Sequence, residues 1–281
     1  MLHLSIRLIL ALALLCVIVT YNPKSISLPG TLPDDPSMED LGRIVYPSVQ
    51  KIPWRPHFIL PDESLERLFG DRWVWVARFN RLDRRHAYPG MTIKVPLNLE
   101  DIADYTPLAN IYEKAKPFRK YILVNVTEQW IGAYEYGKLK FSIPAATGKP
   151  KYETPTGMFR VDARDRQHFS SLYDTDDGKS KYPMDYAIRF HVGADDIAYW
   201  IHARDLPGRP ASHGCIGVFD EGMQKRVYEM PFEPVLEDAK KLYGWAVGGD
   251  ENGFDTGGPQ LVQDGPVVEV SGALPVYLRY P

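Results

Sequence analysis

A mostly β protein with a few helices is expected from this sequence, arranged as a β-sandwich or partly closed barrel behind a small α+β unit. Three observations carry that expectation. Period-two alternation of apolar and polar side chains recurs from Tyr121 to His202, as strands with one buried face require. The 22 glycines and 24 prolines are many for a helical protein and ordinary for a β-rich one with frequent turns. Ahead of the alternating region, residues 57–96 read in the order strand, helix, helix, strand. With 281 residues, 44% of them hydrophobic, the chain has material for a sizeable core and two domains. A net charge of −3, with Arg84-Arg85-His86 as the longest basic run, gives no nucleic-acid surface.

Residues 1–22 read as a signal sequence or membrane anchor. Arg7 precedes twelve uncharged residues, Leu8 to Val19. As a helix that run spans about 18 Å, short of the ~30 Å hydrocarbon core, which favours a signal sequence. Val19-Thr20-Tyr21-Asn22 offers no small-x-small cleavage site, so retention as an anchor stays open. Leu15 is bulky where a lipidation site before Cys16 needs a small residue. Export is expected in either case, to the periplasm or cell envelope, with inner-membrane anchoring as the uncleaved form. Residues 23–56, rich in Pro, Asp and Ser, read as a linker.

In the α+β unit, Asp62 or Glu63 is the expected cap of a helix carrying Leu65, Leu68 and Phe69 on one face. A second helix holds Trp73, Val76, Ala77 and Phe79 and ends in Asn80 to Asp83. The turn Tyr88-Pro89-Gly90 leads into a strand, Met91 to Pro96. In this order, in Asn80 and in Pro89-Gly90, residues 57–96 resemble a LysM carbohydrate-binding module, which implies contact with glycan strands. Residues 97–118, with Pro107, Lys114, Lys116 and Pro117, read as a second linker.

The following domain, residues 119–245, opens as a meander. Tyr121 to Val126, Trp130 to Tyr136 and Lys138 to Ala145 are expected strands, with Gly137 in a tight turn. Thr156 to Val161, Tyr186 to Val192 and Ile197 to His202 continue the strand character, and the polar Asp174 to Lys181 is a loop. Val218 to Tyr228 and Pro234 to Tyr243 read as helices. A tail, residues 246–281, carries two strand-like runs, Gly265 to Val270 and Leu274 to Tyr280, whose attachment the sequence leaves open.

Cysteine usage points to chemistry. Of two cysteines, Cys16 lies in the targeting segment, so an exported domain carries Cys215 alone. Exported thiols are usually paired, and a lone one invites a reactive role. Cys215 sits in Ser212-His213-Gly214-Cys215, with His202 thirteen residues upstream. A cysteine is a strong nucleophile once its proton is drawn off, and histidine has the intrinsic pKa for that task. Gly214 permits a tight bend that exposes the sulfur and aims N–H groups at a developing oxyanion.

The stretch Trp200-Ile201-His202, followed by Gly208-Arg209-Pro210-Ala211-Ser212-His213-Gly214-Cys215-Ile216, resembles the catalytic signature of the L,D-transpeptidases, the cysteine enzymes that cross-link peptidoglycan stems. Ala146 to Lys149 and Glu153 to Phe159 resemble the strand and turn that precede it. The resemblance implies an L,D-transpeptidase-like fold and assigns roles. Cys215 is the nucleophile toward the diaminopimelate carbonyl that precedes the terminal D-alanine of a tetrapeptide stem. His202 is the base, oriented by the carbonyl of Ala203. His213 is a second histidine lining the site. Gly214 and Cys215 supply oxyanion N–H groups, and Ser212 orients the loop. An amine of a neighbouring stem resolves the thioester, with no metal or organic cofactor. The chain departs from the family in a shorter interval between His202 and Ser212, and in Gly217, where the family tends to carry Arg or Asn.

Arg189, Arg204 and Arg209 are candidates to grip a stem carboxylate, since guanidinium makes two parallel hydrogen bonds to one. Tyr182 and Tyr186 are candidates for a lid over the donor site. His57, His86, His168 and His191 show no metal-ligand spacing. Three alternatives stand beside transfer: an L,D-carboxypeptidase using water on the same residues, a zinc hydrolase with His202, His213 and Cys215 as ligands, and a non-catalytic wall-binding protein.

Overall fold

Strand β1 (Trp54–Phe58) pairs antiparallel with β2 (Thr92–Pro96), and helices α1 (Leu65–Phe69) and α2 (Trp73–Asn80) lie between them in the chain. The cap of α1 differs from expectation. Ser64 accepts from the N–H of Arg67, because the Glu63 carboxylate is already engaged by the N–H of Leu60 and by His57. Arg81 caps the end of α2, in the left-handed region at φ 54°. Its guanidinium turns inward, donating to the carbonyls of Glu128 and Phe79 and lying 4.9 Å from the Trp130 ring.

This unit closes no core of its own. Ile59, Leu65, Val76, Phe79 and Leu82 share one with Ala146, Leu206, Phe219 and Leu236 from the second half of the chain. Four arginines cross the seam, pairing Arg78 with Asp238, Arg81 with Glu128, Arg84 with Glu221 and Arg85 with Asp205. Residues 97–118, expected as a linker, are packed as well. Leu108 and Ala115 are buried against Tyr121, Leu123, Trp130 and Tyr134, covering the outer face of the sheet that follows.

That sheet begins with the expected meander: β3 (Tyr121–Asn125), β4 (Trp130–Glu135) and β5 (Lys138–Pro144). Tyr136 and Gly137 both have positive φ, 48° and 80°, the twist a two-residue hairpin needs. After β6 (Gly157–Arg160) come β7 (Ala163–Asp174), β8 (Lys181–Val192), β9 (Ala198–Ala203) and β10 (Ile216–Val218). Helices α3 (Glu221–Tyr228) and α4 (Asp238–Val247) precede the short β11 (Gln260–Leu261) and β12 (Val267–Ser271). The sheet orders are β5-β4-β3-β12-β6 and β10-β9-β8-β7-β11. Ile122, Val124, Ile131 and Val268 of the first face Ile188, Phe190, Ile201 and Val218 of the second, with Leu242 and Ala246 of α4 in the same core. The architecture is a mostly β sandwich with few helices, and neither sheet closes into a barrel.

The computed structural model describes residues 51–175, 178–248 and 258–274. The targeting segment, most of the first linker and all of Leu274 to Tyr280 beyond Leu274 lie outside them. Among the described residues no helix is long and apolar enough to cross a membrane. The domain boundary at 245 moves outward, because β12 inserts between β3, parallel to it, and β6, antiparallel. Strand β7 is additional to expectation, and β8 starts five residues before Tyr186. The buried residues of β7 are Ala163, Asp165 and Ser170, small or polar residues that produce no apolar alternation. Val218 belongs to β10, and α3 starts only after Asp220, whose carboxylate accepts from the N–H of Met223. Helix α4 starts at Asp238, past Pro234.

Candidate active site

Strands β9 and β10 run parallel, with Ile216 opposite Ile201 and Gly217 opposite His202. Cys215 directly precedes β10, so adjacent strands bring the two ends of the signature together. His202 is 2% exposed, and its Nδ1 lies 2.7 Å from the Ala203 carbonyl. A carbonyl only accepts, so Nδ1 carries the proton and Nε2 presents a lone pair. Burial pushes the His202 pKa down to about 3; the Ala203 bond opposes this, and the charges of Arg204 and His168 add to it. The imidazole is therefore neutral. The half-buried Cys215 packs against a cluster of Ala163, Met184, Ala187 and Trp200, as Tyr182 also does. Burial pushes its pKa up, against a hydrogen bond from the Trp200 backbone and the charge of Arg204. The site holds a neutral thiol and a neutral imidazole rather than an ion pair.

The turn carrying the thiol is held from within. Ser212 Oγ donates to the carbonyl of Cys215 and accepts from the N–H of Gly214 at 3.1 Å. That second bond corrects an expectation: the Gly214 N–H is engaged by Ser212, which leaves the N–H of Cys215 as the turn's candidate oxyanion donor. Gly214 has φ 115°, and a Cβ there would stand 2.7 Å from the Tyr199 ring. Thr154 Oγ1 donates to the Gly214 carbonyl and accepts from the N–H of Gly148, both at 2.9 Å. The carbonyl of Thr147 accepts from Ala211 and Ser212, and the N–H of Lys149 donates to the carbonyl of Ser212.

His213 lies among aromatics. Tyr173 stacks on it at 4.5 Å and Tyr152 meets it edge-on at 4.6 Å. Burial, followed by the charges of Lys149 and Arg204, lowers its pKa. Sequence reasoning gave no role to Tyr152, Tyr173, Tyr199 or Thr154. Tyr173 lies near the end of the strand that lacked an alternation signal, and the others stand in turns or strands whose facing is set by long-range pairing.

The remaining candidates divide. Arg204 lies at the site, its Nη2 donating to the carbonyl of Ala211 at 3.2 Å and its guanidinium 5.7 Å from the Tyr182 ring. Tyr182 packs in the cluster that includes Cys215, and burial pushes its pKa up to about 12. Arg209 is half-buried in the same loop. Arg189 is held by Asp162 at 2.8 Å, so its grip is already filled. Tyr186 is no lid residue: at φ 54° it turns into the main core and meets Tyr243 edge-on at 5.8 Å. Among the described residues no three His, Cys, Asp or Glu side chains gather to hold a metal ion, which leaves the zinc alternative without a ligand set.

Residues 119–268 match the model of the L,D-transpeptidase catalytic domain, YkuD. Similar solved structures include an L,D-transpeptidase from Mycobacterium smegmatis, 18% identical over 55% of this chain and 59% of that one, with a TM-score of 0.37. Another is an L,D-transpeptidase from Stackebrandtia nassauensis, 18% identical over 74% and 69%, with a TM-score of 0.38. A third is a C442S mutant of the Enterococcus faecium L,D-transpeptidase, 20% identical over 55% and 50%, with a TM-score of 0.34. The match spans about three fifths of the length of the first of these chains. No curated protein matches the sequence. With just over half of its length accounted for by that one domain model, the chain belongs to the L,D-transpeptidase catalytic-domain family.

Proposed function

We propose that this protein is a peptidoglycan L,D-transpeptidase that uses Cys215 as its nucleophile and His202 as its base. The observation that carries the reading is the pairing of β9 with β10, which sets a buried histidine with its Nε2 lone pair free one strand away from the turn that holds the thiol. In the proposed reaction His202 Nε2 takes the thiol proton as sulfur bonds to the diaminopimelate carbonyl carbon. The oxyanion is met by the N–H of Cys215. The carbon–nitrogen bond then breaks, the imidazolium returns its proton to the departing D-alanine amine, and a thioester is left. An amine of a second stem attacks that thioester, forms the new amide and restores the thiol. His213 lies on the substrate side, between Tyr152 and Tyr173, as a polarising group. Export to the periplasm or cell envelope is part of the proposal, supported by the apolar run Leu8 to Val19 and by the single thiol outside it.

Incubation with disaccharide-tetrapeptide, followed by mass spectrometry, tests the reading. Cross-linked dimers and released D-alanine are expected, and Cys215→Ala is expected to abolish both. Tripeptide alone would replace transfer by hydrolysis on the same residues. Unchanged substrate with the wild-type protein would overturn the reading.

A further inference from the structure

We infer that Arg204, with Lys149, forms a carboxylate-holding site beside the Cys215 thiol. Six arginines elsewhere among the described residues are matched by carboxylates: Arg72, Arg78, Arg84, Arg85, Arg189 and Arg226 each form an ion pair. Neither Arg204 nor Lys149 pairs with a carboxylate among the described residues. The adjacent carboxylate of Asp205 is turned away, to Arg85 at 2.6 Å and to the amide of Gln224 at 2.7 Å.

The placement of Arg204 depends on Gly217. A Cβ on Gly217 would stand 2.5 Å from Cδ of Arg204 and 2.6 Å from its Cβ, so the arginine stem lies directly over the glycine. Gly217 is opposite His202 in the ladder and two residues past the thiol. The stem therefore runs along the catalytic pair, and the guanidinium lies near Tyr182, which packs against the same cluster as Cys215. One N–H reaches the carbonyl of Ala211, while Nε is buried without an acceptor. A guanidinium has five N–H donors and a planar edge suited to carboxylate. Lys149 stands on the His213 side, its Nζ 5.4 Å from the ring of Tyr152. The charge of Arg204 also draws the thiol's pKa down, and both charges lower that of His213, so their fields reach the reacting groups.

On the acyl-transfer reading, on which this assignment of the ligand rests, the carboxylate is that of the terminal D-alanine, the one anionic group on the leaving side of the scissile bond. The site then selects stems that end one residue beyond the bond to be cut.

The anion site itself is tested without turnover, by alkylating the full chain with iodoacetate and with iodoacetamide and mapping the product at Cys215. In either reaction sulfur displaces iodide, an S–C bond forms and the thiol proton passes to base or solvent. The two reagents differ in one carboxylate, and the ratio of their rates is read, so that a change in thiol pKa cancels. The wild-type ratio is expected to exceed that of free cysteine about tenfold, the scale of one partly screened charge pair. Arg204→Gln is expected to return it to the free-cysteine value, Arg204→Lys to keep part of it, and Lys149→Gln to lower it about two- to threefold. Equal ratios in wild type and Arg204→Gln, with both folded by thermal melting, would overturn the site. A second arm compares tetrapeptide ending in carboxylate with its carboxamide. Arg204→Gln is expected to raise KM for the acid and to leave KM for the amide unchanged, any slowing of the chemical step being common to both, and an equal rise in KM for both would overturn the ligand assignment. Should wild type turn over neither peptide, the reaction reading falls while the alkylation ratio still decides the anion site.

Discussion

A histidine with a pKa near 3 stays neutral throughout the range in which proteins work, and a thiol pushed above its ordinary 9.0 stays protonated there. On the proposed mechanism the thiolate then forms as the reaction proceeds, not beforehand. Alkylation of Cys215 by a neutral reagent is expected to climb steadily from pH 6 to 9.5 without the low-pH plateau of a preformed ion pair; such a plateau would contradict the neutral-pair reading. Removing a general base, the role proposed for His202, costs roughly 10²- to 10⁴-fold. His202→Ala is expected to slow carbapenem acylation by that order and to recover partly in alkali, where thiolate forms without help. His213→Ala is expected to slow it without comparable recovery, and rescue confined to that variant would reverse the two assignments. Cys215, His202 and His213 could be singled out because their chemistry and spacing are local to one stretch of sequence, and the roles given to them remain part of the proposal. The engagement of the Gly214 N–H was not, since which donors a turn leaves free depends on the side-chain rotamer of Ser212.

At the scale of elements, the strands of the meander were readable because each presents a clean apolar face. Strand β7 was hidden, since pairing with β8 holds it in place while its buried residues are Ala163, Asp165 and Ser170. The same limit applies to the turn before the thiol, where backbone hydrogen bonds to distant loops decide the geometry. Thr154 is the joint, a buried hydroxyl linking Gly148 to Gly214. Thr154→Val keeps its shape and leaves both groups without a partner, at about 1–3 kcal/mol each. The expected fall in melting temperature is about 2–4 °C per kcal/mol for a chain of this size, with slower acylation, and Thr154→Ser is expected to restore both. An unchanged melting temperature in Thr154→Val would show that the joint is idle.

For the whole molecule, the segment before β3 acts as part of the catalytic fold. Its order of elements was readable from sequence, but its dependence on Leu206, Phe219 and Leu236 was not, because a shared core leaves the same apolar stripe as a private one. The seam meets the loop that joins His202 to Cys215. Asp83, fully buried, accepts from the N–H of Leu206 at 2.6 Å, from Gln224 at 3.0 Å and from His86 at 2.9 Å, while its own N–H donates back to the Leu206 carbonyl. Burial raises the pKa of Asp83, yet His86 and these donors more than offset it and hold it below the ordinary 3.8. Burial likewise lowers that of His86, and Asp83 holds it above the ordinary 6.5. The pair's stabilisation is thus fully present between those two ordinary values. It fades as pH falls through the lowered Asp83 value or rises through the raised His86 value. Asp83→Ala leaves buried donors without an acceptor and is expected to cost about 3–5 kcal/mol. It is also expected to slow acylation, because the loop leading out of His202 loses its anchor. Leu65→Ala, in the same core but with no bond to that loop, is expected to cost a comparable 2–5 kcal/mol. Acylation measured well below both melting temperatures separates the two effects. A slow Asp83→Ala beside a normal Leu65→Ala would assign the segment a part in positioning the site, and equal rates would reduce it to a source of stability.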